Sequence, residues 1–233
     1  MELIEDLVAA NRILAQQGVL DGYGHVSVRD SRRSDRFLMS RSLAPEMVTA
    51  EDILEYDLAG NAIGAAGRAS YLERFIHSAI YKARPDVHAV VHNHSPSVIP
   101  FGVSSVPMRP LYHMAAFLGP GIPVFDIRKH SGVTDMLVSN PERARGLVEV
   151  LGSHCAVLMR GHGSTVVGPT ILAAVGRSIY LELNARLQSQ VIGLGGDITY
   201  LDPEEAKQVL ASGENVGYER PWGIWKKKAL QSL

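Results

Sequence analysis

The chain has 233 residues, 46% of them hydrophobic and 20% charged, with a formal net charge of −1. That length supports a substantial buried core, and the composition is that of an ordinary water-soluble globular fold. The near-neutral charge argues against broad electrostatic binding to nucleic acid or to an anionic membrane, which leaves a small-molecule substrate as the expected partner.

Residues 1–17 predict a helix, with Leu3, Leu7 and Leu14 at helical spacing and Gly18 as its stop. His25 to Arg29, Phe37 to Met39 and Ile53 to Asp57 predict short strands, the last leading into a Gly60-Asn61 turn. A helix is expected from Tyr71 to Ala83, ended by Arg84-Pro85-Asp86, because proline disfavours helical geometry in the residue before it. His88 to Val91 has a buried-strand pattern with His92-Asn93-His94 at its end, and another helix is expected from Pro96. Pro123 to Phe125 predicts a short strand. Asn140-Pro141 opens a helix, with asparagine as N-cap and proline at the first helical position, and Gly152 closes it. Ala156 to Met159 and Thr165 to Val167 predict a strand pair around Arg160-Gly161-His162-Gly163. A long helix follows from Ile171 to Ile192, with Val175, Ile179, Leu183 and Leu187 on one face, and Pro203 opens a last short helix. Lys226-Lys227-Lys228 is expected to be a solvated tail.

Strands in clusters joined by short turns predict an α/β fold with a mixed, largely antiparallel sheet and helices on its faces. No repeat, low-complexity block or Pro/Gly/Ser-rich linker interrupts the pattern, so a single domain over residues 1–233 is expected. Cys155 is the one cysteine, so no intrachain disulfide can form, and its apolar surroundings predict a small buried hydrophobe. Glu2, Glu5 and Asp6 stand where a signal peptide would be basic, and no apolar stretch approaches the roughly 20 residues that span a bilayer. A cytoplasmic protein is expected. No glycine-rich nucleotide-binding motif is present.

The chemistry concentrates in histidines. His92 and His94 sit at i and i+2 in an extended segment, so both imidazoles face one side and can share one metal while Asn93 faces away. Imidazole suits zinc, manganese, iron or cobalt. Taken alone, His-x-His also fits two partly exposed histidines at a strand end. His162 lies in a turn between Gly161 and Gly163, where glycine permits unusual backbone geometry and close approach, and spacing does not show whether it reaches the other two. Glu73, early in its helix, fits a fourth ligand, a general acid/base, or a carboxylate serving the helix dipole. His77, one turn on, fits packing or support of the site.

Gly24-His25-Val26-Ser27, Glu73 at a helix start, Val90-Val91-His92-Asn93-His94 and Arg160-Gly161-His162-Gly163, in this order, resemble the class II aldolase/adducin family over about residues 3 to 210. The resemblance implies a three-layer α/β/α fold and a homotetramer with active sites at subunit interfaces. It implies one divalent metal per subunit on His92, His94 and His162, Zn2+ or Mn2+ first and Co2+ or Fe2+ next, with Glu73 as ligand or acid/base and no organic cofactor. Sugar-phosphate members of the family cradle their phosphate with an asparagine in the first motif, a Ser-Gly pair and a Ser-Ser pair. Here those positions hold His25, the segment Ser40-Arg41-Ser42-Leu43-Ala44-Pro45-Glu46, and Ala69-Ser70.

The Gly-His-Val-Ser variant, the Ser-Arg-Ser-x-Ala-Pro-Glu segment and Tyr112-His113-Met114-Ala115-Ala116-Phe117 are similar to a branch of decarboxylases acting on hydroxylated aromatic dicarboxylates. The expected activity is therefore metal-dependent, non-oxidative decarboxylation of a hydroxylated aromatic or heteroaromatic (di)carboxylate in a catabolic pathway. The alternative is a class II aldolase cleaving a hydroxy-carbonyl or sugar-phosphate substrate. Glu73 is the first choice as proton donor, with His25, Tyr112 and His113 as rivals, the last two supplied by a neighbouring subunit. Arg41, with Ser40 and Ser70, is expected to bind substrate, since its fork matches a carboxylate; the bland reading of Arg41 is an ion pair.

Overall fold

The structure is a computed structural model that describes residues 2–213 and 218–231. Met1, with which the first expected helix began, lies outside the described residues. Helix α1 (Glu2–Gln16) leads to strands β1 (His25–Arg29), β2 (Arg36–Ser40), β3 (Ile53–Asp57) and β4 (Ala62–Ile63). Then come α2 (Arg74–Ala83), β5 (Ala89–Asn93), α3 (Ile99–Val103), a 3-10 turn at His113–Leu118, β6 (Val124–Phe125) and α4 (Arg128–Ser131). The chain continues through α5 (Pro141–Leu151), β7 (Ala156–Met159), β8 (Gly163–Gly168), α6 (Ile171–Leu194), α7 (Pro203–Ala211) and α8 (Glu219–Gln231).

The eight strands form one sheet in the order β4-β3-β2-β1-β5-β8-β7-β6. Every neighbouring pair is antiparallel except β6 with β7. Side chains alternate between two cores. Ala89 and Val91 of β5 and Val26 and Val28 of β1 join α1, α6 and α8 on one face. Val90 joins Ile76 and Ile80 of α2 and Leu147 and Leu151 of α5 on the other. The expected α/β/α layering is therefore present. By the two-residue period, His92 shares Val90's side, and His25 and Ser27 point to the α2 side. Antiparallel pairing places His25 directly opposite His92. The side chains of the candidate site thus meet at one end of the central strands, under α2.

Four local expectations are corrected. Helix α2 begins at Arg74 rather than Tyr71. The Tyr71 ring is buried and its hydroxyl is tied to the Leu43 carbonyl, which holds this stretch outside helical geometry and makes Glu73 the N-cap, at φ −88° and ψ 16°. Helix α3 begins at Ile99 instead of Pro96, since Pro96 and Pro100 both lack the N–H a regular first turn would extend. In α6, Val175 and Ile179 are buried, but Leu183 and Leu187 are only partly so. Asn184 and Gln188 are fully buried instead, because their amides serve the segment 107–111 like a neighbouring strand. Asn184 accepts the Leu111 N–H at 2.9 Å and donates to the Arg109 carbonyl at 2.9 Å; Gln188 accepts the Arg109 N–H at 3.0 Å and donates to the Pro107 carbonyl at 2.8 Å. Finally, Pro203 does not open the last helix, and the lysine run is not a tail. It lies in α8, where Trp222 and Ala229 join the α1/α6 core and Lys226 reaches Glu5 at 2.8 Å and Asp6 at 2.7 Å.

Among the described residues no helix is long and apolar enough to cross a membrane. The Cys155 thiol is pushed up by burial and donates to the Phe117 carbonyl at 3.3 Å, the behaviour of an inert packed side chain.

Candidate metal centre

Glu73, His92, His94 and His162 each offer one ligand atom, and these four atoms lie within 4.8 Å of one another. The Glu73 carboxylate is fixed from one side, its Oε1 accepting the Val138 N–H at 2.8 Å. Its Oε2 stands 3.4 Å from Nε2 of both His92 and His162. Burial raises this carboxyl's pKa, but the adjacent His92 and His162 lower it further, so it is held far below the usual carboxylate range.

The tautomers follow from the outer partners. A carbonyl or carboxylate oxygen only accepts, so His162 Nδ1 donates to the Met136 carbonyl at 3.2 Å and His94 Nδ1 donates to Asp21 Oδ2 at 3.0 Å. Each ring then keeps a bare lone pair on Nε2, and those two atoms face each other at 3.1 Å. His92 Nε2 is buried with no hydrogen-bond partner, while its Nδ1 lies 3.5 Å from Thr165 Oγ1. Three converging imidazole lone pairs beside an ionised carboxylate repel one another unless a cation sits among them. Outer acceptors that fix the donor tautomer are the usual support of metal-binding histidines. The donor set therefore fits a divalent cation.

The two glycines around His162 act differently. Gly161 has φ +65°, the left-handed turn that glycine adopts without strain. Gly163 lies against the end of β5, where an added Cβ would fall 1.9 Å from the Asn93 carbonyl oxygen. Gly163→Ala is expected to destabilise the protein by at least the ~1–3 kcal/mol of ordinary overpacking, measured by urea unfolding; an unchanged midpoint would contradict this placement. Asn93 faces away from the cluster, accepting the Ser164 hydroxyl at 2.9 Å.

The remaining site residues divide by location. His25 is buried beside the cluster, its ring centroid 5.1 Å from that of His92 and 4.6 Å from that of Tyr71. Arg41 makes the ion pair foreseen as its bland reading, Nε to Asp52 Oδ1 at 2.7 Å, with the rest of its guanidinium partly exposed. The Ser40 hydroxyl is buried 3.3 Å from Tyr71 Oη, and the Ser70 hydroxyl accepts from Tyr56 at 3.0 Å. Within one chain, Tyr112 and His113 are not brought to Glu73. Tyr112 packs on the α1/α6 core with its hydroxyl unpartnered, and His113 lines a crevice with Arg177 and Tyr218.

Three contributors escape a reading by motif. Asp21 orients His94, and its Oδ1 also accepts the Tyr23 and Gly24 N–H groups in the turn before β1. Tyr71 ties the Ser40–Leu43 segment to the ring of His25. Met136 and Val138 act through backbone atoms, which no side-chain pattern marks; Asp21, three residues before Gly24, was visible only as a turn-type acidic residue.

Residues 5–189 match the family model described as Class II Aldolase and Adducin N-terminal domain. The chain is 39% identical over 199 residues to decarboxylase tropJ of Talaromyces stipitatus, covering 80% of this chain and 75% of that protein. It is 29% identical over 235 residues to a 3,4-dihydroxyphthalate decarboxylase of Arthrobacter keyseri, covering 94% of this chain and 90% of the relative. Among solved structures, L-fuculose 1-phosphate aldolase from Glaciozyma antarctica superposes with a TM-score of 0.81 at 27% identity, over 98% of this chain and 88% of that one.

Proposed function

The chain belongs to the class II aldolase and adducin family of carbon–carbon lyases, and from that premise we propose that it is a metal-dependent, non-oxidative decarboxylase of a hydroxylated aromatic or heteroaromatic dicarboxylate. The observation that carries the proposal is the convergence of three bare imidazole nitrogens on an ionised glutamate. His92, His94 and His162 hold one divalent cation. When bound, that cation supplies Lewis acidity to substrate oxygen.

The chain's own groups handle the proton and the substrate. Glu73 Oε1 is committed to the Val138 N–H, so Oε2 is the atom free to move a proton. It takes the proton of the ring hydroxyl and passes it to the carbon bearing the adjacent carboxylate. The bond from that carbon to the carboxylate then breaks, carbon dioxide leaves, and its electron pair restores the aromatic ring as a phenolate. The phenolate regains one proton from solvent. Arg41, its Nε oriented by Asp52, receives the second carboxylate on its remaining N–H groups. Ser70 accepts from Tyr56 and keeps its own proton for a carboxylate oxygen, while buried Ser40 acts through Tyr71. Tyr112 and His113 reach the site of a neighbouring subunit in a homotetramer, which light scattering on the purified protein tests. The protein works in the cytoplasm, in catabolism.

Assaying the metal-loaded protein side by side on hydroxylated phthalates and on hydroxy-carbonyl sugar phosphates tests the reading. Carbon dioxide release from the former, and only where a hydroxyl flanks the carboxylate, is expected; aldol cleavage of a sugar phosphate without carbon dioxide release would favour the aldolase alternative. Asp21→Asn places an amide N–H against His94 Nδ1 and displaces the ligating tautomer. Metal affinity is expected to fall about 10- to 100-fold, read by competition with a chelating dye.

A further inference from the structure

Behind the metal cluster runs a line of buried polar groups that the reaction above does not use. His25 Nδ1 lies 2.7 Å from His77 Nε2. His77 Nδ1 lies 2.5 Å from Ser27 Oγ, and Ser27 Oγ lies 2.8 Å from Tyr81 Oη. All four side chains are at most 2% exposed. Burial pushes His25 well below the usual histidine range, and burial together with His92 brings His77 down to about 3, so both rings are neutral. Each link therefore holds one proton, and the direction of one link sets the next.

The far end gives that direction. The Tyr81 oxygen takes the Val90 N–H, so its own proton must find an acceptor. The His88 carbonyl is 3.5 Å away, at the limit of a useful bond, whereas Ser27 Oγ is at 2.8 Å. Tyr81 accordingly donates to Ser27. Ser27 then spends its one proton on His77 Nδ1, and His77 donates from Nε2 to His25 Nδ1. His25 is left with its proton on Nε2. We infer that Tyr81, Ser27 and His77 form a one-way hydrogen-bond chain that locks His25 as the Nε2–H tautomer, a neutral hydrogen-bond donor beside the metal cluster. His77 is thus a positioning residue. Resting on the decarboxylase reading, the ligand of that donor is the substrate oxygen on which negative charge develops. His25 is then a donor to an anion and not the base of the reaction.

Two replacements of nearly equal shape separate direction from mere packing. In His77→Gln the amide N–H2 can donate to His25 Nδ1 while the amide oxygen accepts from Ser27, so the direction survives. In His77→Glu the carboxylate accepts from both sides, forcing His25 to protonate Nδ1. Long-range 1H–15N correlation spectra of the Zn2+-loaded protein carrying 15N-histidine read the tautomer without any substrate. The expected result is Nε2–H on His25 in the wild type and in His77→Gln, lost in His77→Glu and mixed in Ser27→Ala, which keeps the inference testable if the buried glutamate prevents folding. Decarboxylation should follow the same order, with kcat of His77→Gln within about threefold of wild type. For His77→Glu, loss of an anion-stabilising donor should lower kcat about 10²-fold with KM little changed. Nδ1–H on His25 in the wild type, or a tautomer unaltered by Ser27→Ala, would overturn the inference. Absence of carbon dioxide release with the expected tautomers would overturn only the decarboxylase reading.

Discussion

Replacing His162 by alanine is expected to empty the metal site and stop turnover. His162 is the ligand brought from farthest along the chain, on a turn shaped by Gly161 and Gly163. Its removal leaves His92, His94 and Glu73, and frees Glu73 Oε2 from one of its two imidazole neighbours. Metal affinity should drop by more than the roughly 10- to 100-fold that follows loss of an orienting partner. The Lewis acid contributes several kcal/mol, so kcat at limiting metal should fall at least ~10³-fold. Elemental analysis after gel filtration and a carbon dioxide assay check both. Because His162 is at the cluster's rim and the sheet does not depend on its ring, the unfolding midpoint should stay close to wild type. A variant with full metal content and activity would remove His162 from the site.

Glu73→Gln is the second large effect, and it differs in kind. Glutamine keeps an oxygen for the Val138 N–H, so the loop before α5 stays in place. What it lacks is an oxygen able to take a proton at the Oε2 position. Metal should remain bound, with affinity lowered less than in His162→Ala, while kcat falls about 10²- to 10⁴-fold, the range for a lost general acid/base. A fully active Glu73→Gln variant would end the proton-transfer role and leave the residue a structural N-cap of α2.

Why some of this was legible in the sequence and some was not follows from the physics of each residue. His-x-His after an apolar strand is a local pattern, and the two-residue period placed both rings on one side, as the Val90 and His92 alternation bears out. Asn140 as N-cap is also local, and its side chain accepts the Arg143 N–H. The join of His162 to the pair depends on β8 lying beside β5, a long-range pairing that spacing does not encode and that entered only through resemblance to the family. Helix α2 was expected to begin three residues early because nothing local reveals that Tyr71 is held by Leu43. Asn184 and Gln188 broke the expected apolar stripe of α6 because their partners are backbone groups of a distant segment. The lysine run was expected to be solvated because Glu5 and Asp6 sit at the other end of the chain. The direction of the His25 chain likewise needs the geometry of Tyr81, since the sequence offered His77 only as packing or support.

The central claim is that this cluster of histidines and Glu73 drives loss of carbon dioxide. Its most direct test is release of labelled carbon dioxide from a carboxyl-labelled hydroxyphthalate by the chelator-stripped protein, titrated with Zn2+ or Mn2+. The account predicts no release from the stripped protein and restoration that saturates at one metal ion per chain. Release that is undiminished after stripping, or a fully metal-loaded protein that releases none from any hydroxylated aromatic dicarboxylate, would contradict it.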